Sequence, residues 1–183
     1  MVKKKQMSTK YPVIDPEEVR AFLEKYGPET KVYLGADSEK MKVSGDWYAD
    51  YMLVCVVHIH DHTGIGKGCH IFGEITRERV FDQDKKKPTM RLMNEVYKVA
   101  ELYERLKPVL GKRDVQIHLD LNPNKRYISN HVVSQALGYI KGTTQLDAHI
   151  KPESFSASYA ADQLKNILAN SAKAKKAAVE ERT

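Results

Sequence analysis

Three acidic residues stand where a purely structural pattern would favour other side chains. Asp37 ends one segment of alternating apolar and polar residues, and Asp120 ends another, two positions after His118. Glu95 falls three residues after Leu92, within the apolar stripe of an amphipathic segment. Each aspartate alone is also typical of a turn at a strand end. A carboxylate on a core-facing stripe is different, because its desolvation costs free energy unless a partner offsets it.

These acids suggest a metal site if the two strands are neighbours and the helix packs over them. Carboxylates held together repel one another unless a cation lies between them. Oxygen ligands of this kind favour Mg²⁺ or Mn²⁺. Two such ions, roughly 3.5–4 Å apart, activate water and stabilise the leaving oxygen in phosphodiester cleavage. We therefore expect two ions, Mg²⁺ or Mn²⁺, as cofactors of a nuclease.

The elements that must position the acids follow from hydrophobic periodicity and turn signals. A short first helix begins with Asp15 as N-cap and Glu18 in a capping box, and it ends at Gly27. A polar loop is predicted over residues 42–46. The pattern then predicts five strands, over residues 31–37, 48–60, 69–75, 115–120 and 146–150. It predicts three further helices: a long one between residues 88 and 111, one over residues 129–139, and one from residue 156.

This β-β-β-α-β-α-β-α order, with acids on specific elements, resembles the ribonuclease H-like fold. More narrowly, six segments in order resemble the YkuK group of ribonuclease H-like proteins: Gly35–Ser38, Arg91–Val96, Ile117–Asp120, Gly138–Gly142, Ile150–Pro152 and Ala157–Asp162. The resemblance implies an α/β fold with a five-stranded mixed sheet, helices on both faces and one extra N-terminal helix. It also implies that Asp37, Glu95, Asp120 and Asp162 are the catalytic, metal-binding acids. Helical spacing places Asp162 nearly opposite the apolar side of its own helix.

Composition limits the class of protein without choosing a function. The 183 residues are 42% hydrophobic and carry a net charge of +6, which permits a nucleic-acid partner. We expect a basic arm over residues 1–10, one domain over residues 11–170 and a tail over residues 171–183. Because no signal-peptide pattern or membrane-spanning run is seen, a cytoplasmic protein without a membrane partner is expected. The sequence does not indicate an oligomeric state.

Two other groups of residues have alternative interpretations. His58, His60 and His62 alternate along a predicted strand and could bind zinc or nickel, although such a run is more often a solvated strand face. Lysines 85–87 and Arg91 lie close to Glu95 in sequence and could hold a nucleic-acid backbone, or simply form a solvated loop. Trp47 could stack on a base, whereas Tyr48 and Tyr51 are expected to pack within the sheet.

The leading hypothesis is thus a metal-dependent nuclease acting on RNA, DNA or a hybrid. One alternative is a non-catalytic nucleic-acid-binding or scaffold module with the same fold. Another is a different two-metal phosphotransfer enzyme, such as a recombinase-like resolvase or an integrase-like transferase, which would use the same acids.

Overall fold

The computed structural model describes residues 12–80 and 88–154, together with Asp162 and Asn166. The predicted arm over residues 1–10 and the predicted tail over residues 171–183 lie outside the described residues, as do lysines 85–87. Asp162 and Asn166 are both helical. The rest of the helix predicted from residue 156 lies outside the described part.

The described elements follow the predicted order. They are α1 (Pro16–Leu23), β1 (Lys31–Val43), β2 (Asp46–His60), β3 (Gly66–Arg79), α2 (Thr89–Leu110), β4 (Val115–Leu119), a 3-10 turn (Ile128–Val132), α3 (Val133–Thr144) and β5 (Ala148–His149). The five strands form one mixed sheet in the order β3-β2-β1-β4-β5. β1 pairs antiparallel with β2 and parallel with β4, so the five-stranded mixed sheet expected from the resemblance is confirmed.

The alternation along β1 separates two apolar clusters. Val32, Leu34 and Ala36 belong to the main core, which α1, α2 and α3 cover. Tyr33 instead packs against a second cluster, formed by Met52, Val54, Val56 and Ile75 on the other face of the sheet. All three described α-helices therefore contribute to one face. The helix predicted from residue 156 falls largely outside the described residues, so the expectation of helices on both faces stays a prediction.

The structure corrects several predicted boundaries. Asp37 was expected at the end of a strand, but β1 continues for six more residues to Val43. The predicted loop over residues 42–46 is only a tight turn, in which Ser44 and Gly45 have φ values of 51° and 97°. Positive φ at both positions suits a two-residue hairpin turn. β1 and β2 thus stay paired beyond the point where their apolar alternation ends.

The ends of the helices differ from expectation in smaller ways. Asp15 caps α1 as predicted, accepting a hydrogen bond from the Glu17 backbone N–H. That capping bond reaches Glu17 rather than Glu18, so it is not the predicted capping box. α1 ends at Leu23, before the predicted stop at Gly27. Among the described residues, no helix is long and apolar enough to cross a membrane.

Candidate active site

Glu95 lies on the buried stripe of α2 and is 5% exposed. Its carboxylate accepts a hydrogen bond from the Ser38 hydroxyl on β1. The Arg91 guanidinium lies one helical turn away, with Nη1 3.4 Å from Glu95 Oε1. Arg91 also donates to the Ser38 hydroxyl and to the Ser38 carbonyl, at 2.5 and 3.2 Å. The buried carboxylate therefore has the partners that its position in the stripe demands.

The pKa of Glu95 is raised from 4.5 to about 8, and burial of the carboxyl group is the largest cause. The neighbouring charges of Asp37 and Asp120 contribute to this rise, whereas the Ser38 hydrogen bond and the Arg91 charge oppose it. Glu95 therefore interacts electrostatically with Asp37 on β1 and with Asp120, the residue that follows β4. The site favours a neutral Glu95 unless additional positive charge enters it.

The sheet register explains why Asp37 and Asp120 are neighbours. Parallel pairing of β1 with β4 ends at Ala36 and Leu119, and each aspartate is the next residue on its own strand. Neighbouring strands lie about 4.8 Å apart, so the backbones of the two aspartates lie next to each other. Asp37 Oδ1 also accepts a hydrogen bond from the Ser38 backbone N–H at 2.8 Å.

Asp120 forms an ion pair with Lys151 from the segment that follows β5. The Lys151 backbone N–H donates to the Leu121 carbonyl at 3.0 Å, which fixes this segment beside the residues after β4. The side chain of Lys151 is thereby directed to Asp120. Glu95 and Asp120 are thus each paired with a cation of the chain itself, Glu95 with Arg91 and Asp120 with Lys151.

The acids do not converge into a ready ligand set. Within residues 12–80 and 88–154, no three His, Cys, Asp or Glu side chains are grouped closely enough to hold a metal ion. Asp162 is exposed on its helix. Its pairing with the other acids stays a prediction, as does the metal-binding role of the whole set.

The opposite face of the sheet carries a row of rings close to these acids. His118 is buried and packs against Tyr33 and His149, at ring-centroid distances of 5.1 and 5.4 Å. Desolvation, reinforced by the charge of His149, lowers the pKa of His118 to about 4. His118 is therefore neutral at neutral pH. The rings of His58 and His60 lie 4.2 Å apart at one end of the row, tilted by 52°. No third ligand for zinc or nickel joins them among the described residues.

Sequence reasoning did not assign roles to Ser38 or Lys151. The i,i+4 spacing of Arg91 and Glu95 was a usable local signal for an ion pair. Ser38 lies 57 residues from Glu95, and Lys151 meets Asp120 only because β5 lies beside β4. No local pattern announces either contact.

Comparison with known proteins gives one informative match. Neither a curated protein nor a solved structure matches the chain. The family model described as "Ribonuclease H-like" matches residues 16–166, which include the sheet, the described helices and all four predicted acids. The chain belongs to this ribonuclease H-like family, in its YkuK-type group.

Proposed function

We propose that the protein is a divalent-metal-dependent nuclease that hydrolyses phosphodiester bonds of RNA or DNA. The observation that carries the proposal is Glu95, a buried carboxylate whose pKa is raised by burial and by the charges of Asp37 and Asp120. Such an arrangement costs stability, and its carboxylate oxygens suit Mg²⁺ or Mn²⁺. Asp37, Glu95 and Asp120 would hold the metal, with Asp162 as the fourth acid.

The residues of the site also supply what a phosphodiester needs. Bound Mg²⁺ or Mn²⁺ would lower the pKa of the attacking water and stabilise charge on the leaving oxygen. Metal binding requires Glu95 and Asp120 to exchange their contacts with Arg91 and Lys151 for the metal. The two released cations then lie beside the acids, where they can contact the phosphate oxygens and orient the scissile group.

Cleavage of labelled RNA, DNA and hybrid duplexes in Mn²⁺ tests the proposal. The wild-type protein should cut at least one of them. Asp120→Asn should lose more than the roughly 10- to 100-fold that the loss of a metal ligand's outer partner costs. Asp147→Asn is the matched control, because Asp147 is an exposed acid paired with Lys141 at 2.9 Å. No cleavage by the wild type, or equal cleavage by Asp120→Asn, would contradict the proposal.

One observation favours the alternative of a non-catalytic nucleic-acid-binding module. Arg91 and Lys151 already compensate Glu95 and Asp120, as in a site that serves structure alone. In that case nucleic-acid binding should be sensitive to salt, and it should survive replacement of the acids. Divalent metal should then leave the stability of the protein unchanged.

A further inference from the structure

The β1–β2 hairpin extends well past the rest of the sheet at the candidate site. β4 pairs with β1 only over Val32–Ala36, whereas β1 and β2 stay paired up to Val43 and Asp46. β3 follows β2 along this extension, reaching Arg79 opposite Tyr48. The extension begins beside Ser38, the partner of Glu95, so it is continuous with the candidate site.

Three side chains of this extension form what we call the hairpin patch: Lys40, Lys42 and Trp47. Trp47 lies directly opposite Lys42 in the register and is 40% exposed. The Lys40 and Lys42 ammonium groups lie 4.8 and 5.9 Å from the centre of the Trp47 ring. An exposed indole with two ammonium groups beside it combines a stacking surface with positive charge.

Within the part of the chain that the structure describes, the positive charge of the patch is not neutralised. In the described part of the chain, neither Lys40 nor Lys42 forms an ion pair. Three acids of the extension pair with other cations: Asp46 with Arg79, Asp50 with Arg77 and Glu78 with Lys98. Glu39, which alternates with Lys40 along β1, lies on the opposite face of the strand. The two ammonium groups therefore remain available for a partner that carries negative charge at regular intervals.

The patch lies on the same face of β1 as the contact with Glu95. Side chains alternate along a strand, so Ser38, Lys40 and Lys42 share one face. At about 3.4 Å per residue, Lys40 lies about 7 Å and Lys42 about 14 Å along the strand from Ser38. A strand of nucleic acid with a phosphate at the acids can therefore run outward along β1 over the patch.

We propose that the hairpin patch binds an unpaired segment of the nucleic-acid substrate, with a base stacked on Trp47 and phosphates held by Lys40 and Lys42. The identity of the partner rests on the proposed function. A duplex hides the faces of its bases, whereas an unpaired base offers its face to an aromatic ring. When the base stacks, the lysines leave the ring for the phosphates of the same segment.

Binding is measured in EDTA, so that cleavage plays no part. The probes are fluorescein-labelled twelve-nucleotide oligothymidylate and oligouridylate, followed by anisotropy, and a duplex of the same length. Because Trp47 is the only tryptophan of the chain, unlabelled oligonucleotide should also quench the intrinsic fluorescence. The single strands should quench it and bind more tightly than the duplex.

Variants separate stacking, charge and fold. Trp47→Ala should weaken single-strand binding about 5- to 150-fold, the loss of affinity expected when one stacked base loses its aromatic partner. Trp47→Phe should keep most of the affinity. Lys40→Ala/Lys42→Ala should flatten the dependence of log affinity on log salt by about 1.4, as expected for two lost phosphate contacts. The control Lys25→Ala/Lys112→Ala removes two exposed lysines outside the patch and should keep the wild-type slope.

Several results would overturn the proposal: no quenching at low salt, equal losses in the control double variant, or duplex binding that depends on Trp47 as strongly as single-strand binding. The outcome is separable from that of the nuclease proposal. Binding through the patch without cleavage in Mn²⁺ would contradict only the nuclease. If none of the patch variants changes cleavage, and the patch binds no oligonucleotide in EDTA, only the proposal for the patch is contradicted.

Discussion

At the scale of single residues, Glu95 shows how a functional position conflicts with stability. It occupies a core-facing position of α2, where an apolar side chain would pack without cost. One hydroxyl and one guanidinium compensate it, yet burial still raises its pKa to about 8. A raised pKa means that the folded protein binds this proton more tightly than the unfolded chain does. Ionisation of Glu95 therefore destabilises the fold.

The sign of this linkage gives a pH prediction. The stability contributed by the tightly held Glu95 proton is fully present below pH 4.5, and it is lost as the pH rises through about 8. The loss is about 1.4 kcal/mol per pH unit for one fully coupled proton. Glu95→Gln keeps the shape of the side chain but removes its titratable carboxyl group. In EDTA, the unfolding free energy of Glu95→Gln relative to that of the wild type should increase steadily from pH 5 to pH 8, as measured by urea unfolding. A difference that is constant across this range would refute the assignment.

At the scale of elements, a second buried acid holds the layers together without a role in the site. Glu74 on β3 is 7% exposed. It accepts from Arg105 of α2 at 2.6 Å and from the Ile14 backbone N–H at 3.1 Å. The Ile75 N–H on the same strand donates to the Pro12 carbonyl at 3.3 Å. The segment before α1 is thereby fastened to the outer strand of the sheet and to α2.

Glu74 and Glu78 lie on one strand and form a matched test of this role. Glu74→Ala leaves the Ile14 N–H and the Arg105 guanidinium without their acceptor, which should cost about 1–3 kcal/mol of unfolding free energy. Glu78 is 44% exposed in its pair with Lys98, so Glu78→Ala should cost at most about 1 kcal/mol. Urea unfolding of both variants measures the difference. Equal losses would show that the Glu74 contacts contribute no more than a surface pair.

At the scale of the whole molecule, the candidate site exists only in the folded chain. Its acids and cations come from β1, α2, the end of β4 and the segment after β5. The unfolded chain separates these groups, so it should bind divalent metal weakly. Metal binding to the folded protein should therefore appear as added stability.

Thermal unfolding with and without Mn²⁺ measures this linkage. At a hundredfold excess over its dissociation constant, bound Mn²⁺ should stabilise the wild-type protein by about 2.7 kcal/mol. Asp120→Asn should lose most of this gain, whereas Asp147→Asn should keep it. An equal gain in all three proteins would indicate metal binding elsewhere and would leave the predicted acids without this role.

Local patterns were sufficient to predict the order of the elements. The two-residue period of the strands and the helical stripe of α2 both reflect burial on one side, which sequence records directly. Strand ends were harder to predict, because β1 and β2 stay paired through Glu39–Lys42, where three of the four residues are charged. Backbone hydrogen bonds sustain such pairing without apolar alternation. The same extension carries Trp47, Lys40 and Lys42. No alternating pattern in the sequence predicted that these three side chains lie close together.

The sequence by itself determined that Glu95 needs a partner, because a carboxylate in an apolar stripe must be compensated wherever the chain folds. It also indicated that Asp37 and Asp120 lie near Glu95. The i,i+4 spacing already offered Arg91, but only the tertiary structure decided that Ser38 also contacts Glu95 and that Lys151 pairs with Asp120. The physical reason is the range of the interactions. Burial on one side of a helix or strand produces a periodic pattern of apolar residues in the sequence. A contact between groups distant in sequence depends instead on strand register and packing, which no local pattern encodes.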